Sequence, residues 1–508
     1  MRKSFGDVVA LKDVSLAVNR REIHGLLGGN GAGKTTLMNI LYGLYEPDAG
    51  EIVVDGKAIE IDSPRDAITH GIGMVHQHFL QVDSFTVTEN VVLGSSVENP
   101  FALNLEQAAQ RIEELSRQFG LEVPPDAVVG ALSMGVRQRV EILKALYRGV
   151  DILILDEPTT NLTPQQVEDL FRSLRVMVEK GLSVIFITHK LREVLAACDR
   201  VSVLRHGQKV LTVDREEVTP EALVQAMVGD ELDVEESLLF SDRSDTLAGR
   251  ARTQAVAHPL VSVDALSVVA DEGHVLLDNC TFDICDGEIF GVAGIAGNGQ
   301  QVLAEALMGL KPVSSGKIAI AGESVTDCET RELLAMGVSY VPENRLSDGF
   351  LPRANVAQNL ILGMQRRPPY SRGLFLDWKQ VFAEAQTLIR RFNIKTQGPE
   401  EMGANLSGGN IQRVMLARAF AHPSRFLIVH NPTQGLDIPS AEFVYSLLLE
   451  RKKEGAATLL ISEDEDELFL LCDRIAVIYQ GEIVGILERA EFDPYQLGKM
   501  MTGVRAGE

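Results

Sequence analysis

Gly28-Gly29-Asn30-Gly31-Ala32-Gly33-Lys34-Thr35-Thr36 follows the apolar run Ile23-His-Gly-Leu-Leu27 and precedes Leu37, Ile40, Leu41 and Leu44 at helical spacing. This is a G-x-x-x-x-G-K-[ST] pattern. In such a loop backbone N–H groups close around the phosphates of a nucleotide, the lysine adds a point charge to the outer phosphates, and the hydroxyl reaches a magnesium ion. The loop opens a helix whose N-terminal dipole also faces the anion. Strand, loop and helix stand in order, which favours a triphosphate site over a mere glycine-rich turn.

Outward from the loop, Phe5 to Leu11 approaches a strand, Gly50 to Ile61 reads as an antiparallel hairpin, and Gly73-Met-Val-His-Gln77 reads as a further strand. From residue 80 to about 130 the pattern is helical. Asn104 with Gln107 forms a capping signal, and Leu105, Ala108, Ile112 and Leu115 share one face. Leu132-Ser-Met-Gly-Val-Arg-Gln-Arg139 opens another helix with Val140, Leu143 and Leu146 inward. Ile152-Leu-Ile-Leu-Asp156-Glu157 and Ser183-Val-Ile-Phe-Ile-Thr188-His189 are continuous apolar runs ending in polar groups, the mark of buried parallel strands that deliver chemistry at their C-terminal ends. Taken singly, Glu157 could be a capping carboxylate and His189 a core histidine. Beside a phosphate loop they form a catalytic constellation. His76 and His78 have no metal-ligand partner in the pattern and read as loop residues.

The 508 residues are 45% hydrophobic, enough for more than one core. A formal net charge of −23 argues against a nucleic-acid partner, which would need a basic footprint. No stretch approaches eighteen consecutive apolar residues and no signal peptide opens the chain, so the expectation is a cytoplasmic protein whose membrane role is peripheral. The five cysteines lack CxxC spacing and read as reduced thiols.

The series then repeats. Gly291-Val-Ala-Gly294-Ile-Ala-Gly-Asn-Gly299-Gln300-Gln301 lies 266 residues after the first loop, as does Glu343 after Gln77. Leu406-Ser407-Gly408-Gly409-Asn410 lies 274 after Leu132-Ser-Met-Gly-Val136, and His430-Asn431 lies 274 after Asp156-Glu157. Two homologous halves follow, at 1–230 and 259–508, joined by an acidic linker at 231–258.

Phosphate loop, glutamine loop, LSGG-type signature, Asp-Glu strand and histidine recur in order, and on them the whole chain resembles a tandem ATP-binding cassette protein. The resemblance implies an α/β fold of two P-loop NTPase domains, each a RecA-like core with an antiparallel β subdomain and a helical subdomain. It also implies ATP and Mg²⁺ as cofactors, and head-to-tail pairing of the halves within the chain. In that scheme the first site binds ATP through Phe5, Gly28, Gly29, Asn30, Gly31, Ala32, Gly33, Lys34, Thr35 and Thr36, with Ser407, Gly408, Gly409 and Asp437 from the other half. Thr35, Gln77 and Asp156 serve the metal; Glu157 polarises the attacking water, His189 orients the γ-phosphate, and Lys34 and Gln77 assist.

The second half departs from the pattern. Lys34 is matched by Gln300, Thr35 by Gln301, Asp156 by His430, Glu157 by Asn431, His189 by Glu463, Gln77 by Glu343 and Phe5 by Asp271. Its partner elements are altered as well: Leu132-Ser-Met-Gly-Val136 departs from LSGGQ, and Asn161-Leu-Thr163 lacks the aspartate of Gly435-Leu-Asp437. The expectation is one competent composite site and one degenerate site.

Tandem cassettes without membrane spans resemble the energising subunits of bacterial importers for nucleosides and simple sugars. Met74-Val-His-Gln-His-Phe79, Leu143-Lys-Ala-Leu-Tyr-Arg-Gly149, Leu162-Thr-Pro-Gln165 and Ile187-Thr-His-Lys-Leu191 look most like the nucleoside branch. The implied partners are two transmembrane permeases, docking near Gln77–Asn90 and Glu343–Asn359, and indirectly a solute-binding lipoprotein. A monosaccharide importer is the alternative reading, and a soluble non-transport tandem cassette a further one. A shift of 266 places Met1 opposite Ser267, so the first half is expected to lack the strand that Pro259-Leu-Val-Ser-Val supplies to the second.

Overall fold

The computed structural model describes residues 1–6, 8–77, 79–95, 104–159, 162–229, 259–270, 272–372, 375–436 and 438–505. The expected linker at 231–258, together with His78, Asn161, Asp271 and Asp437, lies outside the described residues. The chain divides into two compact units.

The first unit begins with the short strands β1 (Lys3–Phe5) and β2 (Val8–Leu11), followed by β3 (Ile23–Leu27), the hairpin β4 (Ile52–Val54) and β5 (Lys57–Ile59), and β6 (Ile72–Val75). After the helical segment come β7 (Ile152–Asp156), β8 (Ser183–Thr188), β9 (Arg200–Arg205) and β10 (Gln208–Asp214). The core sheet has the order β10-β9-β3-β8-β7-β6, parallel except for the edge pair β9–β10. Every residue of β3 and β8 is buried, because helices cover both faces of the sheet, and this is why these strands read as unbroken apolar runs. The sheet places the ends of β3, β7 and β8 side by side, so the phosphate loop, Glu157 and His189 emerge from adjacent strands.

Two expectations need adjustment. Leu105 is exposed rather than on the buried face; it is the first helical residue of Leu105–Phe119, and Ala108, Ile112 and Leu115 carry the burial. The stretch from Phe5 to Leu11, read as the approach to one strand, belongs to two, β1 and β2, which pair antiparallel; at the shift of 266 β1 falls opposite residues 269–271 and so is no counterpart of Pro259-Leu-Val-Ser-Val.

The second unit repeats the plan. Strands β11 (Pro259–Val269), β12 (Val275–Cys285), β14 (Ser315–Ile320) and β15 (Glu323–Ser324) form an antiparallel sheet in the order β12-β11-β14-β15. The core sheet runs β16 (Val338–Val341), β19 (Phe426–His430), β20 (Ala457–Ile461), β13 (Ile289–Ala293), β21 (Arg474–Tyr479), β22 (Glu482–Glu488). A small hairpin, β17 (Ser371–Arg372) with β18 (Phe375–Leu376), stands in the helical segment and accounts for part of its extra length. The caps expected at Asn104 and Asp377 form, each side chain accepting the backbone N–H three residues on.

Candidate functional site

The phosphate loop bends where only glycine fits. Gly33 has φ 101°, and a Cβ there would meet Leu11 Cδ2 at 2.7 Å and the Ala10 carbonyl at 2.8 Å. The helix Lys34–Leu41 starts at once, with Gly33 as its N-cap and no side chain capping it, so its first N–H groups stay available to an anion. Lys34 is 6% exposed, and its ammonium donates to the carbonyls of Gly28 (2.6 Å) and Gly29 (3.1 Å). Burial draws the Lys34 pKa down, against the opposing pull of Glu157 and Asp156.

Across from it stand the two carboxylates. Burial, and then Glu157, push Asp156 up to about 6, while the Lys34 charge and a hydrogen bond with the Thr35 side chain hold it down. Asp156 therefore remains mostly ionised at neutral pH. Glu157 has φ 47°, a left-handed conformation that costs of order 1–3 kcal/mol for a residue with a side chain and collects at functional positions. Its N–H donates to the Ile187 carbonyl of β8 at 2.9 Å, and its carboxylate receives Gln77 Nε2 at 3.0 Å and faces His189 Nδ1 at 2.9 Å. Burial alone would raise the Glu157 pKa; the His189 hydrogen bond and the charges of His189, Lys34 and Lys190 outweigh it, and the net direction is downward. Glu157 is thus ionised at neutral pH and oriented from both sides.

The structure brings Lys34, Thr35, Gln77, Asp156, Glu157 and His189 together. Phe5 lies on β1, 45% exposed, edge-on to Tyr45 at 5.2 Å. In the second unit Ser407 stands at the N-cap position of the helix Gly408–Phe420 without a side-chain cap bond, and its hydroxyl accepts from Asn410 Nδ2 at 2.8 Å. Thr35 and Asp156 carry hard oxygen donors of the kind that could hold Mg²⁺, which takes one or two protein groups beside phosphate oxygens. Among the described residues no set of three or more His, Cys, Asp or Glu side chains is grouped to hold a metal by itself.

The matching positions of the second unit keep the backbone and change the chemistry. Asn431 has φ 45°, and its N–H donates to the Ile461 carbonyl at 2.8 Å, as Glu157 does to Ile187. Its amide donates to Glu343 Oε1 at 2.8 Å, and its oxygen accepts the Glu463 N–H at 3.0 Å. Gln300 fills the loop as a neutral group, donating to the Ile295 carbonyl at 2.9 Å, and Gln301 turns back onto Glu305 of its own helix at 2.7 Å. His430 is 4% exposed with Nδ1 unpaired, and burial draws its pKa down, leaving a neutral ring beside Glu343.

Fold and first-unit site together define a tandem P-loop nucleotide-binding protein. The chain belongs to the ABC transporter family, whose family model matches residues 11–160 and 277–434, and it is an ABC transporter ATPase that binds ATP. It is 42% identical, over 100% of its length and 97% of the relative's, to the nucleoside import ATP-binding protein NupA of Lactococcus lactis. It is 40% identical to the glucose import ATP-binding protein TsgD13 of Haloferax volcanii (99% and 94% covered), and 37% identical to the guanosine import ATP-binding protein NupO of Bacillus subtilis (99% and 96%). Among solved structures, the RNase-L Inhibitor matches with a TM-score of 0.61 at 20% identity, covering 94% of this chain and 86% of that one, which is a likeness of fold alone. Among the described residues, no helix is long and apolar enough to cross a membrane.

Two side chains near the site escape motif reading. Glu193 is buried and accepts from Thr159 (2.6 Å) and Thr188 (2.7 Å), tying the loop after Glu157 to the strand that carries His189. Glu467 repeats this in the second unit with Thr433 and Ser462. Asn90 is fully buried; it accepts the Val82 N–H at 2.8 Å and donates to the carbonyls of Val82 (3.0 Å) and Thr86 (3.1 Å), and Asn359 does the same for Leu351 and Asn355. The signal was present in the repeat: Glu193 and Glu467 are 274 residues apart, Asn90 and Asn359 269.

Proposed function

We propose that this chain is the ATP-hydrolysing subunit of a nucleoside importer, acting at the cytoplasmic face of the membrane on two permease subunits and, through them, on a solute-binding lipoprotein. The observation that carries the reading is full-length similarity to a nucleoside import ATP-binding protein at 42% identity, in a chain whose first unit gathers Gln77 and His189 on Glu157 beside the phosphate loop.

In this reading Lys34 and the loop N–H groups bind the triphosphate, Glu157 accepts the proton of the attacking water, and His189 steadies both Glu157 and the γ-phosphate. Thr35, Asp156 and Gln77 would hold Mg²⁺, which supplies neutralisation of the phosphate charge. Ser407, Gly408, Gly409 and Asp437 complete this site from the 259–508 half, whose own loop has lost the lysine. Support for one competent and one degenerate site comes from the clustering of the altered residues: Gln300, Gln301, His430 and Asn431 go with Met134 and Val136 of the other signature, while Lys34, Asp156 and Glu157 go with an intact Leu406-Ser-Gly-Gly-Asn410. Exposed apolar residues flank both glutamine-loop positions, with Leu80 61% and Leu346 59% exposed, and support permease docking there.

The test is reconstitution of the chain with its co-purified permeases and lipoprotein in proteoliposomes, measuring Mg-ATP hydrolysis with each solute. Stimulation by guanosine or another nucleoside supports the reading. Stimulation by glucose, ribose or galactose instead selects the sugar alternative, which the 40% identity to a glucose import protein keeps in play. Recovery of no permease overturns both.

A further inference from the structure

The ends of β7 and β8 are joined twice, once at the surface and once underneath. At the surface Glu157 meets His189 at 2.9 Å. Underneath, one carboxylate receives both strand ends. The Thr159 hydroxyl, two residues after Glu157, donates to Glu193 Oε1 at 2.6 Å, and the Thr188 hydroxyl, one residue before His189, donates to Glu193 Oε2 at 2.7 Å. Chain and hydrogen bonds together close a ring through Glu157, Thr159, Glu193, Thr188 and His189.

The lower half of this ring is built into the core, with Glu193, Thr159 and Thr188 all buried. The Thr188 hydroxyl also accepts the Lys190 N–H at 3.0 Å, so the backbone is held immediately before and after His189. Glu193 lies in the first turn of the helix Leu191–Ala197, with Lys190 Nζ 3.8 Å from its Oε1. A left-handed backbone at a residue with a side chain persists only where its surroundings over-determine it. At Glu157 those surroundings include the bond of its N–H to Ile187 and the anchor of Thr159 on Glu193. Lys34 is held separately, by Gly28 and Gly29 of its own loop. The second unit closes the same two strand ends through Glu467, Thr433 and Ser462, about Asn431 and Glu463. Closure therefore belongs to the fold, and in the first unit the groups it carries are Glu157 and His189.

We infer that Glu193 is a positioning residue for ATP hydrolysis: acting through Thr159 and Thr188, it sets the separation and aim of Glu157 and His189. The inference rests on the reading of Glu157 as the general base. A group that takes a proton from water must stand within hydrogen-bond reach of it, and a displacement of about 1 Å can cost on the order of 10²-fold in rate. Without the shared carboxylate, the two strand ends keep only the surface contact of Glu157 with His189, between side chains that water reaches. The loss therefore falls on the chemical step. Triphosphate binding, which rests on Lys34 and its loop, is spared.

The test compares kcat and KM for Mg-ATP, and binding of a fluorescent ATP analogue, in the full chain and its variants. Glu193→Ala should lower kcat about 10- to 100-fold while KM and analogue binding stay within about twofold of the parent. Thr188→Val, which keeps the size and removes the hydroxyl, should do the same and stands in if Glu193→Ala does not fold. Thr188→Ser keeps the hydroxyl and should restore the parental kcat. Residues that act as a unit are not additive, so Glu193→Ala placed on Glu157→Gln should lower single-turnover hydrolysis by less than about threefold further. Parental kcat in both Glu193→Ala and Thr188→Val overturns the inference, as does a fall in kcat matched by an equal loss of analogue binding, or an undiminished fall on the Glu157→Gln background. Turnover retained in Glu157→Gln alone removes the base reading and the inference with it; turnover lost there but retained in the clamp variants overturns the inference alone.

Discussion

Asn431 donates its side-chain amide to Glu343 at 2.8 Å, inverting the polarity of the contact in which Gln77 donates to Glu157 at 3.0 Å. Each pair is one amide and one carboxylate spanning the same two loops, so the repeat preserves the link while moving the charge from the strand end to the glutamine-loop position. Glu157 and Asn431 also share a left-handed backbone and the same bond to the neighbouring strand. The frame is held in both units; the carboxylate at this strand end is present in one.

Glu157→Gln should therefore reduce Mg-ATP turnover by about 10²- to 10⁴-fold, the usual contribution of a positioned general base. The amide keeps the size and can still meet Gln77 and His189, so ATP should remain bound. Single-turnover hydrolysis alongside equilibrium binding of a fluorescent ATP analogue separates the two. Turnover within tenfold of the parent would remove Glu157 from the base role.

The converse substitution, Asn431→Asp, should not create activity. It sets a second carboxylate beside Glu343, at a cost of about 1 kcal/mol for charges ~4 Å apart in water and about 4 at an effective dielectric of 20. Glu343 has a side-chain exposure of 33%, which places the cost in the lower part of that range. The unfolding midpoint should fall by a few degrees, at roughly 2–4 °C per kcal/mol for a unit of this size, with turnover unchanged. Thermal unfolding and ATPase assays on the same preparation check both halves of this expectation.

Much of the fold and of the first site was legible because its parts are short and local. The phosphate loop carries its own geometry in Gly33 and Lys34, and β7 and β8 announce burial by unbroken apolar runs ending in Asp156 and Thr188. The same reasoning missed Glu193 and Asn90. Their roles depend on which hydroxyls and backbone groups the fold brings within reach; the repeat marks each position by its recurrence, at 274 and 269 residues, but a lone Glu or Asn on a helix does not say which groups it will meet. Leu105 failed for a related reason: periodicity gives a face, but not how far along the helix that face is covered, and burial among the named positions starts at Ala108. The hairpin β17–β18 announced itself only as extra length between two matched motifs.

Glu467 provides a pH test of the buried clamp. Burial, then the Asp464 charge, raise it from its ordinary 4.5 to about 8, against the hydrogen bonds of Ser462 and Thr433. Between those values the unfolded chain releases a proton that the native chain retains, so this group's contribution to stability falls as pH rises from about 4.5 to about 8, at no more than ~1.4 kcal/mol per pH unit. Glu467→Gln keeps a side chain that can bond both hydroxyls and removes the titration. Chemical denaturation at pH 5, 6, 7 and 8 should show the substituted chain losing less stability across the series than the parent. Parallel curves would mean that Glu467 is ionised in the native chain at pH 5.

Asn90 links the site to the proposed permease surface. It is fully buried and satisfies both backbone groups of Val82, in the segment that carries exposed Leu80 between Gln77 and the helix Val87–Val92. Asn90→Ala leaves those groups to find water, at about 1–3 kcal/mol for each that stays unsatisfied, and loosens the segment without touching Lys34, Asp156 or Glu157. Basal hydrolysis should stay within a few-fold of the parent, while solute moved per ATP consumed should fall in proteoliposomes. Leu80→Ser, at a side chain 61% exposed, should lower permease recovery and leave the unfolding midpoint nearly unchanged. If both variants transport with parental stoichiometry, the segment from Gln77 to Asn90 does not couple hydrolysis to the permeases, and the docking surface lies elsewhere.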